Sequence, residues 1–150
     1  MKRSAFTMIE LIFVVMVISI LAAVAVPKLF ATRDDALVSA MAQGIMRSAF
    51  EIASFATAQG YTTANFSEMS NNISVMLKNE VAVDTGNHKV NFSAGETEVC
   101  IVLEIEDAGT NVETLITSLK VSNSYLCDRL QILIDEESFP MPLGGTLVQY

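Results

Sequence analysis

The chain has 150 residues, of which 51% are hydrophobic, and its formal net charge is −8. This length holds one small domain in addition to any anchor. From Tyr61 onward there are 4 Lys or Arg residues against 13 Asp or Glu, which argues against nucleic acid and anionic lipid as the main partners and is typical of a soluble exported domain.

The N-terminus begins with two cations, Lys2 and Arg3, and continues as an apolar stretch over residues 6–26. As an α-helix this stretch measures about 31 Å, enough to span a bilayer, and the cations place its N-terminus in the cytoplasm. The stretch holds one charge, Glu10, and an ionised carboxylate in hydrocarbon costs on the order of 3 kcal/mol. Such a segment must therefore lose the charge through processing or provide it with a partner.

Two ordinary export segments compete as interpretations of this stretch. Ala23-Val24-Ala25 fits the cleavage site of a secretory signal, but the helical pattern continues beyond Ala25, so cleavage there would divide a helix. A simple one-pass anchor leaves Glu10 unexplained.

Two motifs in this region resemble a known family: residues 5–12 (AFTMIELI) and residues 21–27 (LAAVAVP). They resemble the N-terminal segments of type IV pilins and of the pseudopilins of type II secretion. The shared features are a short basic leader, Phe6, Glu10 four residues later, a long apolar run and Pro27. Ala5 stands where the family usually has Gly.

The resemblance implies processing and assembly. A prepilin peptidase in the membrane would cut between Ala5 and Phe6 and methylate the new amine, and Glu10 would pair with the Phe6 amine of a neighbouring subunit. The implied partners are other pilin-like subunits in a homo- or hetero-oligomeric filament, the prepilin peptidase and an inner-membrane assembly platform. The implied location is the bacterial inner membrane with the C-terminal domain in the periplasm, and then a periplasmic or cell-surface filament.

The helical pattern continues past Pro27 and becomes amphipathic. One apolar stripe, with spacings of three and four, contains Leu37, Met41, Ile45, Ala49, Ile52 and Ala56. Gln59-Gly60 provides a stop, so we expect one helix over residues 6–59. Because Pro27 lacks an N–H and clashes with the carbonyl four residues earlier, we expect a kink or local unwinding there. A simple boundary between the membrane and external parts of the helix is the alternative.

The remaining residues predict short helices and strands. We expect a helix over Ser67–Leu77, because Ser67 can cap it. We expect strands over Val81–Val83, Lys89–Phe92, Val99–Ile105 and Thr114–Val121 (the last with a helix as alternative), a helix over Ser124–Ile134 and a final strand over Leu143–Tyr150. The predicted fold class is α+β: a long N-terminal helix, membrane-spanning in its first half, packed on a small antiparallel sheet in a pilin-like arrangement. The expected divisions are a leader (1–5), a transmembrane assembly helix (6–27), its amphipathic continuation (28–60) and an extracytoplasmic globular domain (61–150).

The two cysteines, Cys100 and Cys127, suggest one disulfide in a chain that has the features of an exported protein. Two unpaired buried thiols are the alternative. The bond would tie the central strand to the C-terminal helix and close a loop of 28 residues, which corresponds to roughly 3.5 kcal/mol of chain entropy. In the family, a C-terminal disulfide of this kind bounds an outward-facing loop.

No set of catalytic, metal-binding or cofactor-binding residues emerges from the pattern, so we expect neither an enzyme nor a cofactor. The main hypothesis is a structural subunit of a type IV pilus or type II secretion pseudopilus, polymerised through its N-terminal helix. The alternative is a membrane-tethered or secreted binding module whose first 25 residues serve only for export.

Overall fold

The computed structural model describes residues 7–95, 98–110, 112–134 and 136–144. The first element, α1, is a continuous helix over Met8–Gln59, as the periodicity predicts. Gly60 directly follows the helix and terminates it: its N–H donates to the Ala56 carbonyl over 2.8 Å, and its φ of 77° suits glycine. The described residues divide after Ala36 into two compact units.

The second unit begins with the C-terminal part of α1, from Leu37 onward, which supplies one wall of the core. Its buried hydrophobic residues are Val38, Met41, Ala42, Ile45, Ala49, Ile52 and Ala56. The predicted stripe is confirmed except at its first position, because Leu37 is exposed and Val38 is buried in its place.

Two short helices follow α1, where the sequence predicts one. They are α2 (Phe66–Met69) and α3 (Asn71–Lys78). The prediction of a helix capped by Ser67 is wrong, because Ser70 is extended, with φ −139°, and its side chain accepts the Ile73 N–H as the cap of α3. At the start of α2, the Asp84 carboxylate accepts a hydrogen bond from the Phe66 N–H over 2.8 Å.

A five-stranded antiparallel sheet forms the other wall of the core. Its strands are β1 (Ala82–Asp84), β2 (Lys89–Phe92), β3 (Ile101–Glu106), β4 (Thr114–Leu119) and β5 (Met141–Pro142), and their order in the sheet is their order in the chain. The register places Leu103 between Val90 on β2 and Thr117 on β4. The architecture is therefore α+β, as predicted, and the helix alternative for residues 114–121 is wrong.

The C-terminal part of the sheet differs from the prediction. Strand β5 pairs Met141 with Leu115 and Pro142 with Thr114, so the last described strand ends before Leu143, where the predicted one begins. Leu143 nevertheless donates its N–H to the Glu113 carbonyl over 2.9 Å. The rest of the predicted strand, residues 145–150, lies outside the described residues.

Helix α4 (Tyr125–Leu133) lies where a helix is predicted and is joined to the sheet in two ways. Cys127 forms a disulfide with Cys100, which directly precedes β3, and both residues are buried. The Gln131 amide donates to the carbonyls of Cys100 and Lys120 over 2.8 and 2.7 Å. The disulfide that the sequence suggested is thus present in the structure.

The Glu51 carboxylate joins α1 to α3. Glu51 accepts the Ser70 hydroxyl over 2.7 Å and the Asn72 N–H over 3.2 Å at the start of α3, and it pairs with Arg47 over 3.0 Å. Partial burial acts to raise the pKa of Glu51, but these hydrogen bonds together outweigh it, and the pKa lies below its ordinary value. The negative charge of Glu51 therefore stabilises the folded domain.

We expect Glu51→Gln to lower the free energy of unfolding at neutral pH by about 1–2 kcal/mol. A lowered folded-state pKa means that the contribution is present above the ordinary pKa of 4.5 and is lost as the pH falls through the lowered value. The difference between wild type and variant should therefore be smaller at a pH well below 4.5 than at neutral pH, as measured by urea unfolding in a mild detergent. Glu106→Gln, at an exposed position, is the matched control, and a difference of equal size at both pH values would contradict the argument.

Candidate assembly helix

The first unit consists of the N-terminal part of α1, and its side chains face solvent all round. Every described residue from Thr7 to Arg33 is exposed, including Phe13 and Leu21 at 66% and 64%. Among the described residues, α1 is the one helix that is both long enough and apolar enough to cross a membrane. The core helix of a soluble domain would be buried, so this surface requires lipid or protein to cover it.

The one carboxylate among residues 7–33, that of Glu10, is bound locally. Glu10 accepts two hydrogen bonds at Oε2, from the Thr7 N–H over 2.9 Å and from the Thr7 hydroxyl over 2.7 Å. The Thr7 hydroxyl oxygen in turn lies 3.4 Å from the Glu10 nitrogen. This reciprocal arrangement is a capping box at the start of α1.

Thr7 is the functional residue that the sequence reasoning missed. The signal was present, because Thr7-Met8-Ile9-Glu10 has the spacing of a capping box directly before an apolar run. In the structure, the carboxylate of Glu10 therefore has a partner within its own chain and is held at the N-terminal end of the helix, where the dipole favours negative charge.

Pro27 lies inside α1, and the helix is continuous through it. The predicted local unwinding is therefore not found. Pro27 lacks an N–H and so cannot donate to the Ala23 carbonyl within the helix. The hydroxyls of this unit are satisfied internally: Ser19 donates to the Val15 carbonyl over 2.7 Å and Thr32 to the Leu29 carbonyl over 3.0 Å. Internal partners of this kind suit a segment that lies in hydrocarbon.

The two predicted processing residues, Ala5 and Phe6, lie outside the described residues. The structure therefore brings together Thr7 and Glu10 but says nothing of the pairing between Glu10 and Phe6. In the described part of the second unit, no three His, Cys, Asp or Glu side chains converge as metal ligands.

Comparison of the chain with protein-family models, with curated proteins and with solved structures finds no significant match. The likeness to pilins and pseudopilins therefore rests on the residues of the two N-terminal motifs.

Proposed function

We propose that this protein is a structural subunit of a type IV pilus or a type II secretion pseudopilus. The observation that supports the proposal best is the composition of the exposed helix: residues 8–33 face solvent, and Glu10 lies in the first turn of this apolar surface. Lipid can cover the apolar side chains, but a filament of like helices covers them equally well and also offers the carboxylate a cationic partner.

The proposed assembly contact joins Glu10 to the Phe6 amine of a neighbouring subunit. Removal of residues 1–5 would create that amine on the residue directly before the N-cap, Thr7. Two opposite charges in a low-dielectric environment stabilise each other only when both are present. The contact would thus favour a neighbour in the correct register over one that is shifted along the helix.

Processing is tested by the mass of the mature N-terminus. For protein purified from its native membrane, we expect the loss of residues 1–5 and the addition of one methyl group to Phe6. The same protein expressed without a prepilin peptidase should retain Met1 and is the control. A mature chain that begins at Val26 would contradict the proposal and support the secreted binding module instead.

A further inference from the structure

Thr7 holds the Glu10 side chain in one orientation. Both of its hydrogen bonds to the carboxylate reach the same oxygen, Oε2: the backbone N–H donates over 2.9 Å and the hydroxyl over 2.7 Å. The hydroxyl oxygen in turn lies 3.4 Å from the Glu10 nitrogen, so the start of α1 fixes the position of the hydroxyl as well. Hydrogen bonds to an ionised carboxylate are among the strong ones, and two of them on one oxygen restrict the rotation of the side chain.

The other carboxylate oxygen, Oε1, accepts no hydrogen bond from the residues that the structure describes. Glu10 borders a cleft on the surface of α1 whose other lining residues are all apolar: Ile9, Phe13 and Val14. An ionised carboxylate can accept about four hydrogen bonds. Oε1 can therefore accept a further donor while Oε2 remains bound to Thr7, and the two contacts are compatible.

The apolar surroundings make the orientation of Glu10 important. Hydrocarbon supplies no water to bridge an amine and a carboxylate across a gap, so the two groups must meet directly. A free glutamate side chain rotates about several bonds, and fixing one such side chain at a contact weakens binding roughly fivefold. A carboxylate that is already held in place avoids this loss.

We propose that Thr7 is a positioning residue for subunit assembly: its hydroxyl and N–H hold Oε2 so that Oε1 binds the Phe6 amine of the neighbouring subunit. This role rests on the proposed function, since it requires the contact between Glu10 and Phe6. One carboxylate would then serve both chains at once. An amine that displaced Thr7 instead would leave its hydroxyl and N–H without an acceptor in hydrocarbon, which is unfavourable.

The first measurement is the filament yield of Thr7 variants of the full chain in its native cells. The yield is counted per processed subunit, so a change in cleavage does not affect the result. Thr7→Val has nearly the shape of threonine and keeps the N–H but lacks the hydroxyl, and its yield should fall about fivefold or more. Thr7→Ser keeps the hydroxyl and should assemble like the wild type. Thr32→Val is the matched control, because its hydroxyl bonds to the Leu29 carbonyl of its own helix, and its yield should not change.

The second measurement separates positioning from helix capping, because a cap that only stabilised the helix would leave the contact inside assembled filaments unchanged. Sheared filaments are treated with a hydrophobic carbodiimide, which joins an amine and a carboxyl group in direct contact as an amide and takes up the water that is released. In the wild type, mass spectrometry should locate the cross-link between Phe6 of one subunit and Glu10 of the next. Per assembled subunit, Thr7→Val should form it about fivefold less often, and Thr7→Ser as often as the wild type.

The outcomes distinguish the role of Thr7 from the assembly contact itself. Unchanged cross-linking in Thr7→Val, whether or not its yield falls, would overturn the positioning role and leave the contact between Glu10 and Phe6 standing. A loss in Thr7→Ser as large as that in Thr7→Val would also overturn it, because the hydroxyl would then not be the group that matters. Wild-type filaments without the cross-link would overturn the contact and, with it, the role of Thr7.

Discussion

Replacing Glu10 with leucine is expected to impair filament assembly severely and to leave membrane insertion intact. Loss of the carboxylate removes an insertion cost on the order of 3 kcal/mol, so the variant should enter the membrane at least as well as the wild type. In a filament, the same change would leave the Phe6 amine of the neighbouring subunit without its partner. Removing one member of a buried ion pair typically costs about 3–5 kcal/mol, and this loss would recur at every subunit contact.

The matched control is Glu10→Gln, because the structure gives the carboxylate a second role. A glutamine oxygen can still accept the Thr7 N–H and hydroxyl, so this variant retains the capping box but lacks the charge. If the charge is what assembly requires, both variants should yield filaments at about a tenth of the wild-type amount or less, as counted by electron microscopy of sheared material at equal membrane levels of subunit. Normal yield with glutamine would assign Glu10 to helix capping alone, and normal yield with leucine would contradict the assembly contact.

The second large effect is expected from removal of the disulfide. Replacing both Cys100 and Cys127 with alanine should lower the free energy of unfolding by about 3–4 kcal/mol, which for a domain of this size corresponds to a fall in the melting temperature of roughly 10–25 °C. The physical reason is that the bond closes a 28-residue loop in the unfolded chain. Both cysteines are also buried, so truncation of their side chains leaves a small cavity in addition.

The measurement is thermal unfolding followed by circular dichroism, with and without reductant. Reductant strong enough to open the bond in the unfolded chain should lower the melting temperature of the wild type toward that of the double variant and leave the variant unchanged. Equal melting temperatures for oxidised wild type and double variant would mean that the contacts of Gln131 and Leu130 hold α4 without help from the disulfide.

The elements that the sequence predicted best are those with a strong local signal. The apolar run and the stripe of threes and fours define α1, and Lys89–Phe92 follows a turn whose Asp84 and Gly86 form a local hydrogen bond. The positions of the apolar residues along the chain determine the type and extent of these elements, so the local sequence is sufficient to predict them.

The α2–α3 region was mispredicted because distant residues decide it. Ser67 and Ser70 are equally good cap residues in the sequence. The choice is made by Glu51, nineteen residues before Ser70, and by Asp84, eighteen residues after Phe66. The capping role of Thr7 differs in this respect, because its signal, the spacing of Thr7 and Glu10 before an apolar run, is wholly local.

The order of the described strands has a consequence for how the domain forms. Each described strand pairs with the strand that follows it in the chain, so β1 to β4 can form as successive hairpins in chain order. The loops that join β1 to β2, β2 to β3 and β3 to β4 are short, which keeps the entropy of closure small and favours fast folding of these four strands. Cys127 follows β3 and β4 in the chain, so the first four strands can be paired before the thiols meet, and oxidation would then close an arrangement that hairpin formation has already positioned.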